Sequence, residues 1–393
     1  MSMLAFFDKF ANAPYMPTAR TWLLGALGVL LVLSLMMVAS ASIPFAMSRE
    51  GFSELKFFWS QFIYMVIAIV AALCVYQAPL KHQFDFKTLT GAFFACLGLL
   101  VVTLLVGENI NGAKRWINFG GMSFQTAEMA KVLMVMVIAE CMHRRSAELR
   151  HRNIFVSGRR LLVWYAPVML LLFLQPDYGS VVVIGATVLV MFFVAGVPFL
   201  QYVLLALVAL LLGFIGLWQA EYRQSRLLSF QDPFDDVLDT DYQLSRSLIA
   251  FGRGEFSGVG YGNSIQKLEH LPEAHTDFLL AITGEELGFL GVALVILLEF
   301  IIIAAIMRIS YNCLSRRQLK LSYATFGFAV VLFGQVMINA GMNMGILPTK
   351  GLTMPFYSYG GSAMLFSMII IAVVLRVDKE SPLIAKAGEN REY

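Results

Sequence analysis

The apolar residues of this 393-residue chain fall into ten long runs separated by shorter polar segments. A run of about 20 apolar residues can cross a bilayer as a helix, whereas a membrane strand alternates apolar and polar residues. The runs here are continuous. We therefore predict an all-α fold, a polytopic membrane bundle with helices at about 22–43, 57–77, 88–106, 123–142, 161–175, 178–196, 198–218, 278–307, 321–345 and 358–376.

Composition and charge agree with a membrane domain and predict its orientation. The chain is 59% hydrophobic and only 14% charged, whereas about a quarter of the residues of soluble domains are charged. Ten spans place both termini on one side, and clustered arginines mark the cytoplasmic side. We predict a cytoplasmic segment at 1–21, a membrane domain at 22–376, a cytoplasmic tail at 377–393 and an outer loop at about 219–277. The densest inner cluster comprises Arg144, Arg145, Arg150, Arg152, Arg159 and Arg160.

Net charge and cysteine positions narrow the list of partners. The net charge of +3 follows largely from the bias toward positive inner loops, so it indicates contact with membrane lipids and no nucleic-acid partner. The four cysteines fall within spans or at their cytoplasmic ends, which argues against a disulfide framework. They are Cys74, Cys96, Cys141 and Cys313.

The long outer loop changes character twice. Residues 222–231 and 241–251 mix apolar and polar side chains, which predicts short helices at the membrane interface. Five glycines then occur between Gly252 and Gly262, which lets the backbone approach another group closely. A phosphate cradle and a flexible connection are both compatible with this run.

Three ionisable residues alternate just before the eighth predicted span: Glu273, His275 and Asp277. In an extended segment all three side chains would share a face, and in a coiled segment Glu273 and Asp277 would do so. Either arrangement predicts carboxylates beside an imidazole, the kind of site that supplies a general base. The alternative is a helix N-cap, in which Thr276 or Asp277 accepts a hydrogen bond from a first-turn amide.

Polar residues also occur at a spacing of three in the fourth predicted span: Gln125, Glu128 and Lys131. This spacing places them on one helix face, and charged residues inside a span usually face the bundle interior and mark a site. The alternative is that Glu128 and Lys131 only neutralise each other as an i, i+3 pair.

Two outer segments carry further cations. Arg115 lies beside Trp116 just before the fourth span, an arrangement that suits a diphosphate and a sugar or lipid face. An aromatic anchor at the membrane interface is the alternative. Lys350 is the cation of the outer loop between the last two spans, which leads into Gly360 and Gly361. These small residues favour close helix packing.

In this order, the motifs resemble those of the SEDS family (shape, elongation, division, sporulation) of bacterial cell-wall synthesis over roughly residues 20–378. The segment 347–353 is more similar to the cell-division branch than to the elongation branch. Thr126 departs from the family, in which proline is common at that position. The matching motifs are Asn-Gly-Ala-x-Arg-Trp-Ile at 111–117, Gln-x-x-Glu-x-x-Lys at 125–131, Gln-Pro-Asp-x-Gly at 175–179, Gly-Arg-Gly-Glu at 252–255, Pro-Glu-x-His-Thr-Asp-Phe at 272–278 and Gly-Glu-Glu-Leu-Gly at 284–288.

The resemblance implies an enzyme of the bacterial inner membrane that polymerises lipid II, an undecaprenyl-diphosphate disaccharide-pentapeptide, on the outer side at the division septum. It also implies a partner, a class B penicillin-binding protein, together with other division proteins. Asp277 matches the family's catalytic carboxylate, which would act as general base in an inverting transfer. A lipid II flippase and a non-catalytic scaffold are the competing hypotheses.

The same resemblance implies which groups meet the substrate. The departing diphosphate needs positive charge, from Lys131, Arg115, Lys350, Arg226 or a divalent ion such as Mg or Mn. Gln125, Glu128, Trp116 and Glu273 complete the predicted substrate-binding set. For His275 three roles stay open: it orients Asp277, binds a phosphate or helps to hold a metal. The sequence predicts no cofactor beyond the divalent ion.

Overall fold

The computed structural model of the chain describes residues 18–110, 113–119, 122–144, 154–200, 202–204, 206–207, 234 and 242–388. Helices dominate these residues. In chain order they are α1 (Ala19–Met47), α2 (Lys56–Gln77), α3 (Leu80–Gln83), α4 (Phe86–Val106), α5 (Thr126–Arg144), α6 (Ile154–Leu174), α7 (Tyr178–Ala195), α8 (Tyr242–Gly254), α9 (Leu279–Ser315), α10 (Leu319–Asn343) and α11 (Gly361–Ala387).

Seven helices in the described part of the chain are long and apolar enough to cross a membrane, namely α1, α2, α4, α7, α9, α10 and α11. This confirms the predicted polytopic helical fold. Helix α5 falls outside that group because Glu128, Lys131 and Glu140 interrupt its apolar sequence. Helix α6 contains a shorter apolar stretch, Val163–Leu174. The predicted span at 198–218 lies largely outside the described residues, so the total of ten stays a prediction.

A three-stranded antiparallel sheet precedes α5, which the all-α prediction did not include. Its strands are β1 (Glu108–Ile110), β2 (Ala113–Phe119) and β3 (Met122–Gln125), and β2 lies in the middle. The cross-strand partners of Trp116 are Glu108 on one side and Gln125 on the other. The predicted start of the fourth span at residue 123 is therefore wrong. Residues 123–125 are paired with β2, and the helix begins at Thr126.

Helix α9 is interrupted at Gly288, whose φ of 67° and ψ of −164° are not helical. The glycine-rich segment inserts at this kink and takes up the hydrogen bonds that the helix gives up. Its amides at Val259 and Gly260 donate to the Glu285 and Glu286 carbonyls, each at 3.0 Å. In return, the α9 amides at 289 and 290 donate to the carbonyls of residues 255 and 256. Freed backbone groups at membrane depth need such partners.

Glycine is required where the two backbones meet. A Cβ on Gly258, which has a φ of +81°, would lie 2.2 Å from the Glu286 carbonyl oxygen. A Cβ on Gly288 would lie 2.3 Å from the Gly258 nitrogen. The predicted close approach of the glycine-rich run is thus an approach to α9. Through these contacts the glycine-rich run packs against α9 as part of the bundle.

A buried ionic network holds the same segment in place. The Lys267 ammonium contacts a carboxylate oxygen of Glu286 at 2.7 Å and the Ser40 hydroxyl on α1 at 2.8 Å. The Arg253 guanidinium contacts Glu285 at 2.6 Å. Both glutamates are fully buried. Buried charges are stable only when they are paired and hydrogen-bonded, so the segment before α9, α1 and α9 itself are tied together here.

Helix α10 lies at the centre of the arrangement that positions the site. It packs against α9, α5 and α7, while α9 also packs against α1 and α8. Helix α8 confirms a helix at the predicted position 241–251, and its interfacial location stays a prediction, whereas 222–231 falls outside the described residues. The segments that precede α5, α7 and α9 and the segment that follows α10 meet at one end of the bundle.

Candidate active site

Asp277 lies in a turn immediately before α9. The amides of Thr276 and Phe278 both donate to the Glu273 carbonyl, at 3.2 and 3.1 Å, so the segment is coiled and not extended. Glu273 is exposed, and its carboxylate accepts a hydrogen bond from the Thr276 hydroxyl at 2.7 Å. The helix begins at Leu279 with Phe278 as the N-cap residue. Thr276 is therefore not the cap, because its hydroxyl is bonded within the turn.

Two asparagines on α10 hold the main chain of Asp277. The side-chain amides of Asn339 and Asn343 donate to the Asp277 carbonyl at 3.0 and 2.9 Å. The Asn343 side-chain oxygen accepts the first-turn amide of Ala281 at 3.2 Å. These two buried residues, one helical turn apart, fix the turn that carries Asp277, and Asn343 also caps α9.

The loop between α10 and α11 comes up beside the Asp277 carboxylate. The position that a Cβ on Gly351 would occupy lies 3.4 Å from Asp277 Oδ2, so the backbone next to the half-buried Lys350 flanks this carboxylate. Asn339 also donates to the Leu352 carbonyl at 2.7 Å. One side chain therefore holds both the turn with Asp277 and the loop with Lys350.

His275 points into an aromatic cage and is nearly buried. Its ring centroid lies 4.8 Å from that of Phe57, 5.2 Å from that of Phe45 and 5.5 Å from that of Tyr359. Its carbonyl accepts the Tyr359 amide at 3.1 Å. The structure therefore places His275 as packing between α1, α2 and the segment before α11.

Burial lowers the pKa of His275 to about 4. Arg49 lowers the pKa further, while Glu273 opposes the shift. The imidazole is therefore neutral near pH 7. It brings no positive charge to the site at that pH.

We expect acid to destabilise the folded protein through His275. The unfolded side chain has a pKa near 6.5, so it takes up a proton before the folded one as the pH falls. The associated stability is complete above pH 6.5 and declines toward pH 4, by about 3 kcal/mol in the limit. His275→Phe removes this term, whereas His270→Phe, at an exposed position in the same loop, keeps it. Thermal unfolding in detergent at pH 7 and pH 4.5 measures the difference, and equal acid losses in both variants would contradict the assignment.

The polar face of α5 forms a second cluster at the same end of the bundle. The Lys131 ammonium contacts the Glu128 carboxylate at 2.7 Å, and both side chains are buried. The Gln125 side-chain amide donates to the Asp177 carboxylate at 3.3 Å. Asp177 caps α7 through the Ser180 amide and hydroxyl, at 3.3 and 2.8 Å. Glu128 and Lys131 are buried in the bundle and paired, the contact that the alternative hypothesis includes, whereas Gln125 is the last residue of β3 and does not lie on the helix.

Arg115 and Trp116 lie on β2 beside this cluster. The Arg115 guanidinium donates to the Pro176 carbonyl at 2.5 Å. Its Nε is buried and has no hydrogen-bond partner among the described residues. Trp116 is half-buried opposite Gln125 in the sheet. Arg226, the remaining predicted substrate-binding residue, falls outside the described residues.

The loop between α10 and α11 connects the two clusters. Its Leu352 side chain lies against Gly179 at the start of α7, 3.1 Å from the position of a Cβ there. Just after the loop, in the first turn of α11, the Ser362 hydroxyl accepts a hydrogen bond from the main-chain N–H of Gln125 at 2.9 Å and donates to the Ser123 carbonyl at 3.3 Å. The loop thus carries Lys350 beside the turn of Asp277, and α11, which follows the loop, contacts the end of β3 at Gln125, which leads into the helix of Glu128 and Lys131.

Residues 21–382 match the model of the FtsW, RodA and SpoVE family of cell cycle proteins. The chain belongs to this family. The probable peptidoglycan glycosyltransferase FtsW of Acinetobacter baylyi is 40% identical over 397 residues, which cover 99% of this chain and 96% of that protein. The corresponding protein of Hahella chejuensis is 40% identical over 376 residues, covering 94% and 91%.

Solved structures of the family share the architecture. A chain in the structure of a peptidoglycan synthase complex that coordinates polymerisation and crosslinking aligns with a TM-score of 0.73 at 26% identity, covering 91% of this chain and 97% of that one. The rod shape determining protein RodA of Thermus thermophilus aligns with a TM-score of 0.66 at 23% identity, covering 91% and 96%, which supports the fold alone. The family and its seven apolar helices establish a multi-pass bacterial membrane protein.

Within the described ranges, no three side chains of His, Cys, Asp and Glu gather into a metal-binding group. A divalent ion at this family's site therefore stays a prediction. One carboxylate together with substrate phosphates and water suffices for Mg²⁺, so Asp277 and a bound diphosphate would be a chemically suitable ligand set.

The residues missed by the sequence interpretation of this family member are chiefly Asn339 and Asn343. Two amides at i, i+4 within an apolar span carry a signal that was available, since polar residues inside a span usually face the interior. They were passed over because neither is ionisable. The sequence predicts only a tight turn at Asp177, and the structure adds its bond to Gln125.

Proposed function

We propose that this chain is a peptidoglycan glycosyltransferase, which polymerises lipid II into glycan strands on the outer side of the bacterial cytoplasmic membrane. The observation that carries the proposal is the placement of Asp277. Its carboxylate stands on a turn held by Asn339 and Asn343 and beside the loop of Lys350. A half-buried carboxylate on a rigid frame at the end of a membrane bundle has the position required of a general base.

In this proposal Asp277 removes the proton from the acceptor sugar hydroxyl. The hydroxyl oxygen then attacks C1 of the donor sugar on the face opposite the diphosphate. A new C–O bond forms as the bond from C1 to the diphosphate oxygen breaks, and the lipid diphosphate departs with the bonding electrons. The proton remains on the Asp277 carboxyl and is lost to water afterwards. Attack from the opposite face inverts the configuration at C1.

The departing diphosphate acquires negative charge, which positive groups in a dry site stabilise more strongly than water does. Lys350 is next to Gly351, whose backbone flanks Asp277. Lys131 is paired with Glu128 on α5, and Arg115 on β2 bonds to the Pro176 carbonyl before α7. We assign diphosphate binding to these cations. Gln125, Glu128 and Trp116 complete the substrate-binding surface, and Arg226 stays part of the predicted set.

The setting of the reaction follows from the predicted orientation, with both termini in the cytoplasm and the site outside. A class B penicillin-binding protein would crosslink the strands, and the pair would act at the septum, in keeping with the cell-division branch of the family. The relatives named FtsW and the synthase complex of similar fold support this partner and this setting.

Purified protein with its class B penicillin-binding protein and fluorescent lipid II tests the function. We expect a ladder of glycan strands with the detergent-solubilised complex. The same complex in liposomes, with lipid II accessible to a quencher on one side, tests transport separately. A flippase would move lipid II without forming polymer. A scaffold would do neither while still restoring division in depleted cells, so either result would overturn the proposal.

A further inference from the structure

We propose that Asn339 and Asn343 are positioning residues for the reaction above, an inference that rests on the proposed function of Asp277. Neither amide contacts the carboxylate in the described hydrogen bonds. Both act on the main chain that carries it. They hold the general base in place relative to the cation-bearing loop, and they act through position and not through proton transfer.

The hydrogen-bonding capacity of the Asp277 carbonyl is fully used. A carbonyl oxygen has two lone pairs, and the Asp277 carbonyl accepts from both asparagines. The Asn343 amide also donates to the Asn339 carbonyl at 2.9 Å, and its oxygen accepts the Ala281 amide. A carbonyl with both lone pairs occupied by side chains of one helix has little freedom to rotate. The turn therefore follows α10 closely.

The two asparagines bond to different segments. Asn339 is buried, and it donates to Asp277 and also to the Leu352 carbonyl, one residue after Gly351. Within the described residues, the Asn343 side chain bonds to the turn, to α9 and to Asn339, and not to the loop. Asn339 thus sets the separation of the turn from the loop, whereas Asn343 sets the turn alone. A purely structural helix cap requires only the bond from Asn343 to Ala281.

Loss of these bonds would displace the general base and so change kcat. A displacement of about 1 Å in a reacting group lowers the rate by up to about 100-fold. Substrate binding draws on cations and aromatic groups in several segments, most of which these amides do not touch. Loss of either amide should therefore lower kcat and leave KM nearly unchanged.

The test uses the full chain in complex with its penicillin-binding partner, with Asn339→Ala, Asn343→Ala and the double variant. We expect kcat for lipid II polymerisation to fall about tenfold in each single variant and about 100-fold in the double variant, with KM within about twofold of wild type. Gln335→Ala is the matched control. Gln335 is buried on the same helix face one turn earlier, and within the described part of the chain its amide makes none of these bonds.

Hydrogen exchange without substrate gives a readout independent of activity. Asn339→Ala should speed amide exchange in both segments, 272–282 and 348–354, whereas Asn343→Ala should speed it in 272–282 alone. Gln335→Ala should change neither. If Asn339→Ala fails to purify, Asn339→Leu provides similar volume without the donor and should give the same pattern.

Several results would overturn the inference. Wild-type kcat in the double variant would do so, as would a loss of kcat in Gln335→Ala as large as that in Asn339→Ala. Unchanged exchange in both segments would show that the amides do not hold them. Failure of the proposed function is a separate result. If Asp277→Asn still polymerises lipid II, Asp277 is not the general base. The exchange data would still show whether the two asparagines hold the turn and the loop.

Discussion

Asp277→Asn is expected to abolish glycan formation from lipid II while the protein stays folded. Asparagine has the shape of aspartate and keeps the main-chain carbonyl that Asn339 and Asn343 hold, so the turn before α9 survives. It cannot accept the proton of the acceptor hydroxyl. General bases contribute about 100- to 10,000-fold to rate, and loss at the upper end of that range leaves no visible polymer. The measurement is gel analysis of fluorescent glycan strands made with the penicillin-binding partner.

The matched control for this variant is Glu54→Gln. Glu54 is an exposed carboxylate in the connection between α1 and α2, and its neutralisation changes the outer charge by the same amount. We expect wild-type polymerisation from it. Glycan of normal length from Asp277→Asn, at an unchanged melting temperature, would remove Asp277 from the chemistry. A lower melting temperature would instead assign the loss to folding.

Breaking the ion pair on α5 should have the largest effect on stability. Lys131→Met leaves the Glu128 carboxylate buried and unpaired, and such a change costs about 3 to 5 kcal/mol. Glu128→Met should cost a similar amount, because it leaves the Lys131 ammonium buried without its 2.7 Å partner. Removing both charges often restores stability. The double variant should therefore melt near the wild-type temperature.

The double variant separates stability from function. Because we assign Lys131 and Glu128 to the diphosphate-binding surface, we expect the stable double variant to polymerise lipid II poorly, with a raised KM. Thermal unfolding and initial rates at several lipid II concentrations provide the two measurements. Recovery of both stability and rate would show that the pair serves only to neutralise itself within the bundle.

The membrane helices were predictable because hydrocarbon leaves the backbone almost no alternative. Continuous apolar runs gave α1, α2 and α4 to within a few residues. The approach fails where charge and apolar sequence are mixed. Helix α5 was found, but its first turn was placed three residues early, since Ser123 and Phe124 belong to a strand that pairs across the sheet.

That sheet had a signal in the sequence. Asn111-Gly112 and Gly120-Gly121 are the dipeptides typical of two-residue hairpin connections. They lie between strands that end at Ile110 and Phe119 and begin again at Ala113 and Met122. A short segment between two membrane spans is nevertheless expected to be a loop, so this signal is weak without the structure.

Some residues of the candidate site could be predicted from the sequence, and others could not. Asp277, Glu128 and Lys131 could be singled out because an ionisable group near hydrocarbon needs a reason to be there. The roles of Asn339, Asn343 and Gly351 could not, because they depend on which loop returns to which helix. His275 was grouped with Asp277 by spacing. Phe45 and Phe57, distant in sequence, surround the imidazole.

The break in α9 at Gly288 has a mechanical consequence. Four backbone hydrogen bonds join the inserted segment 255–260 to the helix on either side of the break. If the segment and the helix separated, these backbone groups would lose their hydrogen-bond partners. The stub from Leu279 to Leu287 and the inserted segment must therefore travel as one body. Any force that moves that segment moves the stub with it, and Asp277 lies just before the first residue of the stub.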